Sequence, residues 1–165
     1  MRRCIVLFLL SLSLGSCLSE QRTKISLYYT NEDGYVHLYR YIDTEKEELL
    51  ESVLIEFFKG ASKKEKEKYG IDIKIPEGSR LNSVKRYNDS RIIFVDISIQ
   101  YSNVGGSRME ELFLSILSKT ILANTDDYVF LKVDGEFVTD WGSEGIGGQF
   151  QPLEVYNFEY FDEQK

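Results

Sequence analysis

The chain is poor in the residues that most often carry chemistry. Its 165 residues include two cysteines, one histidine and one tryptophan. Both cysteines, Cys4 and Cys17, fall in the first 17 positions. The remainder therefore has no thiol for a disulfide or a zinc site, and its core stands without covalent staples. A lone His37 has no second histidine to complete a metal site or a nucleophile–base pair, and reads as a surface or packing residue. No G-x-G-x-x-G and no phosphate-loop lysine is present, even in the glycine-rich stretch 141–149, so a nucleotide site is not indicated. No D-x-D-x-D-G calcium loop occurs either. Positive charge is also scarce, with 20 Lys and Arg against 27 Asp and Glu and a formal charge of −7. Such a chain is repelled by nucleic acid and by anionic lipid surfaces.

What is present begins at the N-terminus, MRRCIVLFLLSLSLGSC. Arg2 and Arg3 precede an apolar run, residues 4–14, that is too short to span a bilayer; small residues follow. This is the pattern of a secretory signal. Leu14-Gly15-Ser16-Cys17 resembles a bacterial lipobox, with Ser16 where Gly or Ala is usual. The resemblance implies a lipoprotein signal peptide over residues 1–16, cleavage before Cys17 and lipidation of its sulfur; the other reading is an ordinary signal peptide with an incidental cysteine. Loss of Arg2 and Arg3 takes the formal charge from −7 to −9. Membrane attachment then comes from acyl chains, not from a basic patch. Residues 17–23 read as a tether. Residues 24–165 read as a single domain: there is no internal repeat and no low-complexity linker, and about 140 residues can bury some two-thirds of their surface.

The firmest local signal lies in residues 91–122, which read as a strand, a glycine turn and an amphipathic helix. Met109, Leu112, Phe113, Ile116, Leu117 and Ile121 recur at helical spacing on one face. Ser107 and Glu110 form a capping-box pattern behind Gly105 and Gly106, and Asn124 suits a left-handed terminator. Thr120 lies within the apolar face and is expected to bond back to the Ile116 carbonyl; Ser115, Ser118 and Lys119 are expected to point away. A second helix is predicted over 44–60, capped by Thr44 and Glu47, with Leu49, Leu50, Val53, Leu54 and Phe57 as its buried stripe and Gly60 as its end. The charge run 62–69 has no apolar face and reads as a solvated loop or a single helical turn. Strands are expected at 24–30 and 35–42 as a hairpin, at 81–87 and 91–98 as another, and at 128–133 and 136–139 around Asp134-Gly135, the strongest hairpin turn in the chain. Residues 150–161 carry seven large apolar side chains that must pack on this domain or on a partner. The order predicts an α+β fold, a two-layer sandwich with two helices on one face of a mostly antiparallel sheet.

Several segments, in order, resemble the GerMN domain of sporulation and spore-germination lipoproteins. Residues 27–33, LYYTNED, resemble its opening strand and acidic turn, and 54–60 the end of its first helix. Ile75-Pro76-Glu77-Gly78-Ser79-Arg80-Leu81 resembles its I-P-x-G-T-x-L segment. Val95-Asp96-Ile97-Ser98 is similar to its V-D-L-S strand, Gly105-Gly106-Ser107 with Glu110 to its helix start, and Val133-Asp134-Gly135 to its V-D-G hairpin. The loop after Gly60 lacks the family's usual proline and is more charged. Well-known members carry two such domains; this chain has room for one, so tandem-dependent assembly is not carried over. The resemblance implies an envelope protein without established catalysis, related in fold to ring-building modules. Its partners would be envelope proteins or peptidoglycan, with homo-oligomers as a further expectation.

Three classes of function follow, the last a small-ligand or metal receptor built on a carboxylate cluster, for which the calcium loop is lacking. The first is a non-enzymatic, lipid-anchored envelope module with Cys17 as its one modified residue and neither cofactor nor metal. The alternative is an envelope hydrolase using two of Asp96, Glu110, Asp126, Asp127 and Asp134 as paired carboxylates. Glu110 already suits a cap, Asp126 and Asp127 follow a helix end, and Asp134 is a turn residue.

Overall fold

A computed structural model describes residues 22–72, 75–87, 90–99 and 107–137. Strand β1 (Thr23–Asn31) turns into β2 (Gly34–Ile42). A 3-10 turn (Lys46–Glu48) leads to α1 (Leu49–Phe58), followed by α2 (Lys63–Tyr69). Next come β3 (Arg80–Arg86), β4 (Ile92–Ser98), α3 (Ser107–Leu122), β5 (Tyr128–Val133) and β6 (Glu136–Phe137). The fold is α+β and mostly antiparallel, with the strands in two sheets, β1-β2 and β3-β4-β5-β6.

The alternation of each strand decides which side faces the core. Ile25, Leu27 and Tyr29 of β1, Ile93, Val95 and Ile97 of β4, and Val129 and Leu131 of β5 are all buried. They join Val53, Leu54 and Phe57 of α1 and Phe113, Ile116, Leu117 and Ile121 of α3 in one cluster. Each such side chain contributes about 1.5–3 kcal/mol by leaving water. Phe57 sits at the centre, its ring centroid 6.0 Å from Tyr29 and 6.1 Å from Phe113.

Several local features differ from the pattern-based expectation. The charge run is a true helix: Ser62 and Glu65 form a capping box, and Gly70 ends it at φ 66, a left-handed angle that glycine accepts without strain. It buries nothing and is held by charge instead. At α1 the box expected from Thr44 and Glu47 is absent as a cap, because the Thr44 hydroxyl lies 2.8 Å from Ser52 Oγ and neither start residue, Glu45 or Glu48, has a side-chain cap. Gly60 does follow the end of α1, its N–H donating to the Phe57 carbonyl. Strands β4 and β5 run parallel, with Ile92 opposite Tyr128 and Ile97 opposite Val133. Parallel neighbours need a long crossover, and α3 is that crossover. Asp134 and Gly135 at φ 50 and 87 form the expected tight turn into β6. The side chains of Ser107 and Glu110, on which the expected cap rests, the Gly105-Gly106 turn and residues 138–165 lie outside the described residues, as do residues 1–21 with Cys17.

Helix α3 is buried on more than its apolar stripe. Ser115, Ser118 and Thr120, at 0%, 3% and 0% exposure, are as enclosed as its leucines. The expectation that Ser115 and Ser118 face solvent fails because α3 lies along the edge of β1 as well as against the core. Asn124 is not left-handed, and Thr120 does not need its own helix for a partner; both are spent on that edge.

Candidate interaction edge

Strand β1 has two edges. One pairs with β2 over its whole length, Thr23 opposite Ile42 through Asn31 opposite Gly34. The other would leave a row of open polar groups, a template for unwanted pairing. Side chains from α3 close it. The Ser26 N–H donates to Asn124 Oδ1 at 3.0 Å, and Asn124 Nδ2 donates to the Ser26 carbonyl at 2.7 Å. The side-chain amide thus takes the place of a neighbouring peptide group. Asn124 Nδ2 also donates to the Thr120 carbonyl at 2.7 Å, closing the end of α3. The Tyr28 N–H donates to Thr120 Oγ1 at 3.0 Å, and the Asp72 N–H donates to the Thr30 carbonyl at 3.2 Å.

Strand β2 has no such cover among the described residues. Its even-numbered positions bond to β1, so the N–H and C=O of His37, Tyr39 and Tyr41 point outward. No described residue makes a hydrogen bond to them. The strand is nine residues long, GYVHLYRYI, with neither proline nor lysine to blunt it. Its one charged residue, Arg40, points inward and is fully engaged. Arg40 Nη2 donates to Glu65 Oε2 at 2.7 Å and to the Gly60 carbonyl at 2.9 Å, while Nη1 reaches Glu56 Oε2 at 3.2 Å. Burial opposes the charge on Arg40, but the hydrogen bond to Glu65 and the surrounding negative charge raise its pKa further. Burial also opposes the charge on Glu65, yet the Arg40 and Ser62 hydrogen bonds bring it down to about 2. Glu56 is likewise lowered, burial being outweighed by Lys59 and Arg40. Burial pushes the nearby Tyr29 hydroxyl up to about 12. The clamp ties α2 and the end of α1 to β2.

The outward side chains of the hairpin form an aromatic column. Tyr28 and His37 stack at 4.4 Å, and His37 meets Tyr39 at 4.3 Å. Lys24 Nζ sits 3.5 Å above the Tyr39 ring. Tyr35 bonds to Ser115 across to α3 and lies under Lys119 at 4.4 Å. Tyr39 and Tyr41 remain 53% and 63% exposed. Partial burial, and then the charge of Lys24, lower the pKa of His37. His37 is exposed and lies against the rings of Tyr28 and Tyr39, as a surface or packing residue would. Tyr28 and His37 stack face to face, while the rings of Tyr39 and Tyr41 stay largely open to solvent.

Of the carboxylates considered for hydrolysis, Asp96, Asp127 and Asp134 each have a bonding partner within the fold. Asp96 and Asp134 do approach one another around the β5–β6 turn. Asp96 Oδ1 accepts the Gly135 N–H at 3.0 Å, and Asp134 accepts the Ser98 hydroxyl. The link between them is Asn82, an extra residue at a bulge in β3, whose Nδ2 reaches Ser98 Oγ at 3.1 Å. Both acids thus brace a hairpin. Asp127 is a structural anchor across the domain, 2.6 Å from Arg86 and 3.5 Å from Arg91. The hydrogen bond from Arg86 holds its carboxyl below the usual range. The Asp126 carbonyl accepts from Arg91. The Glu110 side chain lies outside the described residues. Among the described residues no three His, Cys, Asp or Glu side chains gather as a metal site, and no helix is long and apolar enough to cross a membrane.

The open edge of β2 and its closed counterpart on β1 were both missed by pattern reading. The signal for the closed edge was two polar residues, Thr120 and Asn124, at the end of an apolar helix face. Thr120 was expected to bond back within its own helix and Asn124 to act as a left-handed terminator.

A family model described as "Germane: Sporulation and spore germination" matches residues 26–139. The first GerMN domain of the sporulation protein GerM from Bacillus subtilis superposes with a TM-score of 0.54 at 19% identity, over 80% of this chain and 97% of that one. The tandem GerMN domains of the same protein give a TM-score of 0.53 at 18% identity, over 81% of this chain. This chain spans 46% of that tandem structure, about half its length. At such identities the likeness is one of fold. No match was found among curated proteins.

Proposed function

Since the chain belongs to the Germane family of sporulation and spore germination, we propose that it is a non-catalytic envelope module, lipid-anchored at Cys17, that associates with other envelope proteins through the open edge of β2. The observation that carries this reading is the asymmetry of the hairpin. One edge is closed by three side-chain hydrogen bonds from Thr120 of α3 and Asn124 just after it, and among the described residues the other has no cover over His37, Tyr39 and Tyr41. An extended segment of a partner adds there as a further strand. Each main-chain hydrogen bond contributes about 0.5–1.5 kcal/mol net, and the exposed tyrosines supply contact area. The acidic turn residues Glu32 and Asp33 and the cations Lys24 and Lys119 beside the rings set the register of that segment by charge.

The absence of catalysis is supported by the occupations of Asp96, Asp127 and Asp134, each already bonded within the fold. Peptidoglycan contact is the weaker of the two partner readings, because sugar rings prefer an open aromatic face, one face of Tyr28 and of His37 is taken by their mutual stacking, and only Tyr39 and Tyr41 stay largely open.

The test places a photo-crosslinking phenylalanine analogue at Tyr41 in the full chain in cells, with the same analogue at Tyr69 on α2 as control. The expected result is a discrete adduct with an envelope protein from position 41 alone, lost when Tyr39→Pro is added. That proline removes an outward N–H and no bond to β1, so the hairpin survives it. Equal adducts from both positions, or an adduct indifferent to Tyr39→Pro, refute the edge.

A further inference from the structure

The four-stranded sheet has a second face. Where Ile93, Val95 and Ile97 of β4 point into the core, Ile92, Phe94 and Asp96 point away from it. Phe94 lies at the centre of an aromatic group on this outer side. Its ring centroid is 6.1 Å from Tyr87, 6.1 Å from Phe130 and 5.6 Å from Phe137. Tyr87 and Tyr128 remain 54% and 56% exposed, and Phe137 is exposed as well. A contiguous aromatic face of this kind on one side of a sheet calls for a cover.

We propose that this face is the docking site for the chain's own C-terminal segment, residues 150–161. Three observations carry it. The chain leaves the described structure from this face, since Phe137 is the last residue of β6 and packs on Phe94. The twelve residues 138–149 reach up to about 40 Å when extended, whereas the four strands of the sheet span only about 15 Å, so the segment can return across all of them. Its side chains also match. Tyr156, Phe158 and Tyr160 are spaced two apart and share one side of an extended chain. Charge agrees as well. The segment carries Glu154 and Glu159, with Asp162 and Glu163 just beyond. The face it would meet is bordered by Lys132, whose Nζ lies 4.4 Å above the Phe137 ring, and by Arg91 over Tyr128 at 5.8 Å. Aromatic against aromatic and acidic against basic favour this occupant over a second copy, which would bring the same cations together.

The test uses the full chain in detergent micelles with Cys4→Ser and Cys17→Ser, so that Asn157→Cys carries a unique spin label. Asn157 lies between Tyr156 and Phe158 and faces the other way, leaving the docking side chains untouched. The expected result is loss of the amide NMR signals of Phe94 and Phe130, with those of Leu38 and Ile116 retained. Adding Phe158→Ser and Tyr160→Ser restores the lost signals without altering any residue of the described fold. No loss at Phe94 and Phe130 overturns the proposal. So does loss at His37 and Tyr39 instead, which would place the segment on the β2 edge. Loss of the same signals on isotope-enriched unlabelled chains, when they are mixed with labelled chains that are not enriched, means that a second copy occupies the face, and also overturns it.

Discussion

Replacing Asn124 with alanine tests how the edge of β1 is closed. The side chain makes three hydrogen bonds, to the Ser26 N–H, the Ser26 carbonyl and the Thr120 carbonyl. Truncation leaves one donor and two acceptors without their partner. Unmade bonds to buried groups cost about 1–3 kcal/mol each, but these sites are only partly buried and water can reach some of them. A total loss of about 2–4 kcal/mol is expected. For a domain of this size that lowers Tm by roughly 10 °C. Urea unfolding followed by circular dichroism measures it, with the slope unchanged if the unfolded state is the same. The decisive variant is Asn124→Gly. If Asn124 acted as a left-handed helix terminator, glycine would be neutral or better. If it acts by replacing a peptide group on β1, glycine is as damaging as alanine or worse. A neutral Asn124→Gly refutes the edge-closing role.

The Arg40 clamp gives a pH-dependent counterpart. The pKa of Glu65 is about 2 in the folded protein against 4.5 for the free side chain, so its stabilising effect is complete above about 4.5 and is lost as pH falls towards 2. Glu65→Gln should therefore lower stability by about 1–2 kcal/mol at neutral pH, less than a fully buried pair, with the difference from the parent shrinking below pH 4.5; a difference that grows on acidification contradicts the assignment. Phe57→Ala removes the ring between Tyr29 and Phe113 and should cost about 3–5 kcal/mol in chemical denaturation. Cys17→Ser should move the protein from the membrane fraction to the soluble fraction or leave it uncleaved; unchanged partition excludes lipid attachment at that residue.

The apolar periodicities read from the chain survive in the structure almost residue for residue. Ile93, Val95 and Ile97 are buried while Ile92, Phe94 and Asp96 are not, and Phe113, Ile116, Leu117 and Ile121 lie in the core. The tight turn at Asp134-Gly135 and the α+β class were equally legible. These features depend on neighbours in sequence: side-chain direction follows from position within a strand or helix, and turn angles from the residues in the turn. The candidate site was not legible, because it depends on groups far apart in the chain. Arg40 meets Glu65 only once α2 folds back beneath β2, and Glu65 sits in a run that carries no hydrophobic signal.

Composition and periodicity thus determined which surfaces had to be hidden, since hydrophobic burial is additive over residues and written in their order. Which backbone edge the described residues close and which they leave uncovered was decided only in three dimensions. A polar side chain such as Asn124 has several partners of similar worth, and the choice among them is made by where packing carries the end of α3: 98 residues along the chain from Ser26, yet within hydrogen-bonding distance of it.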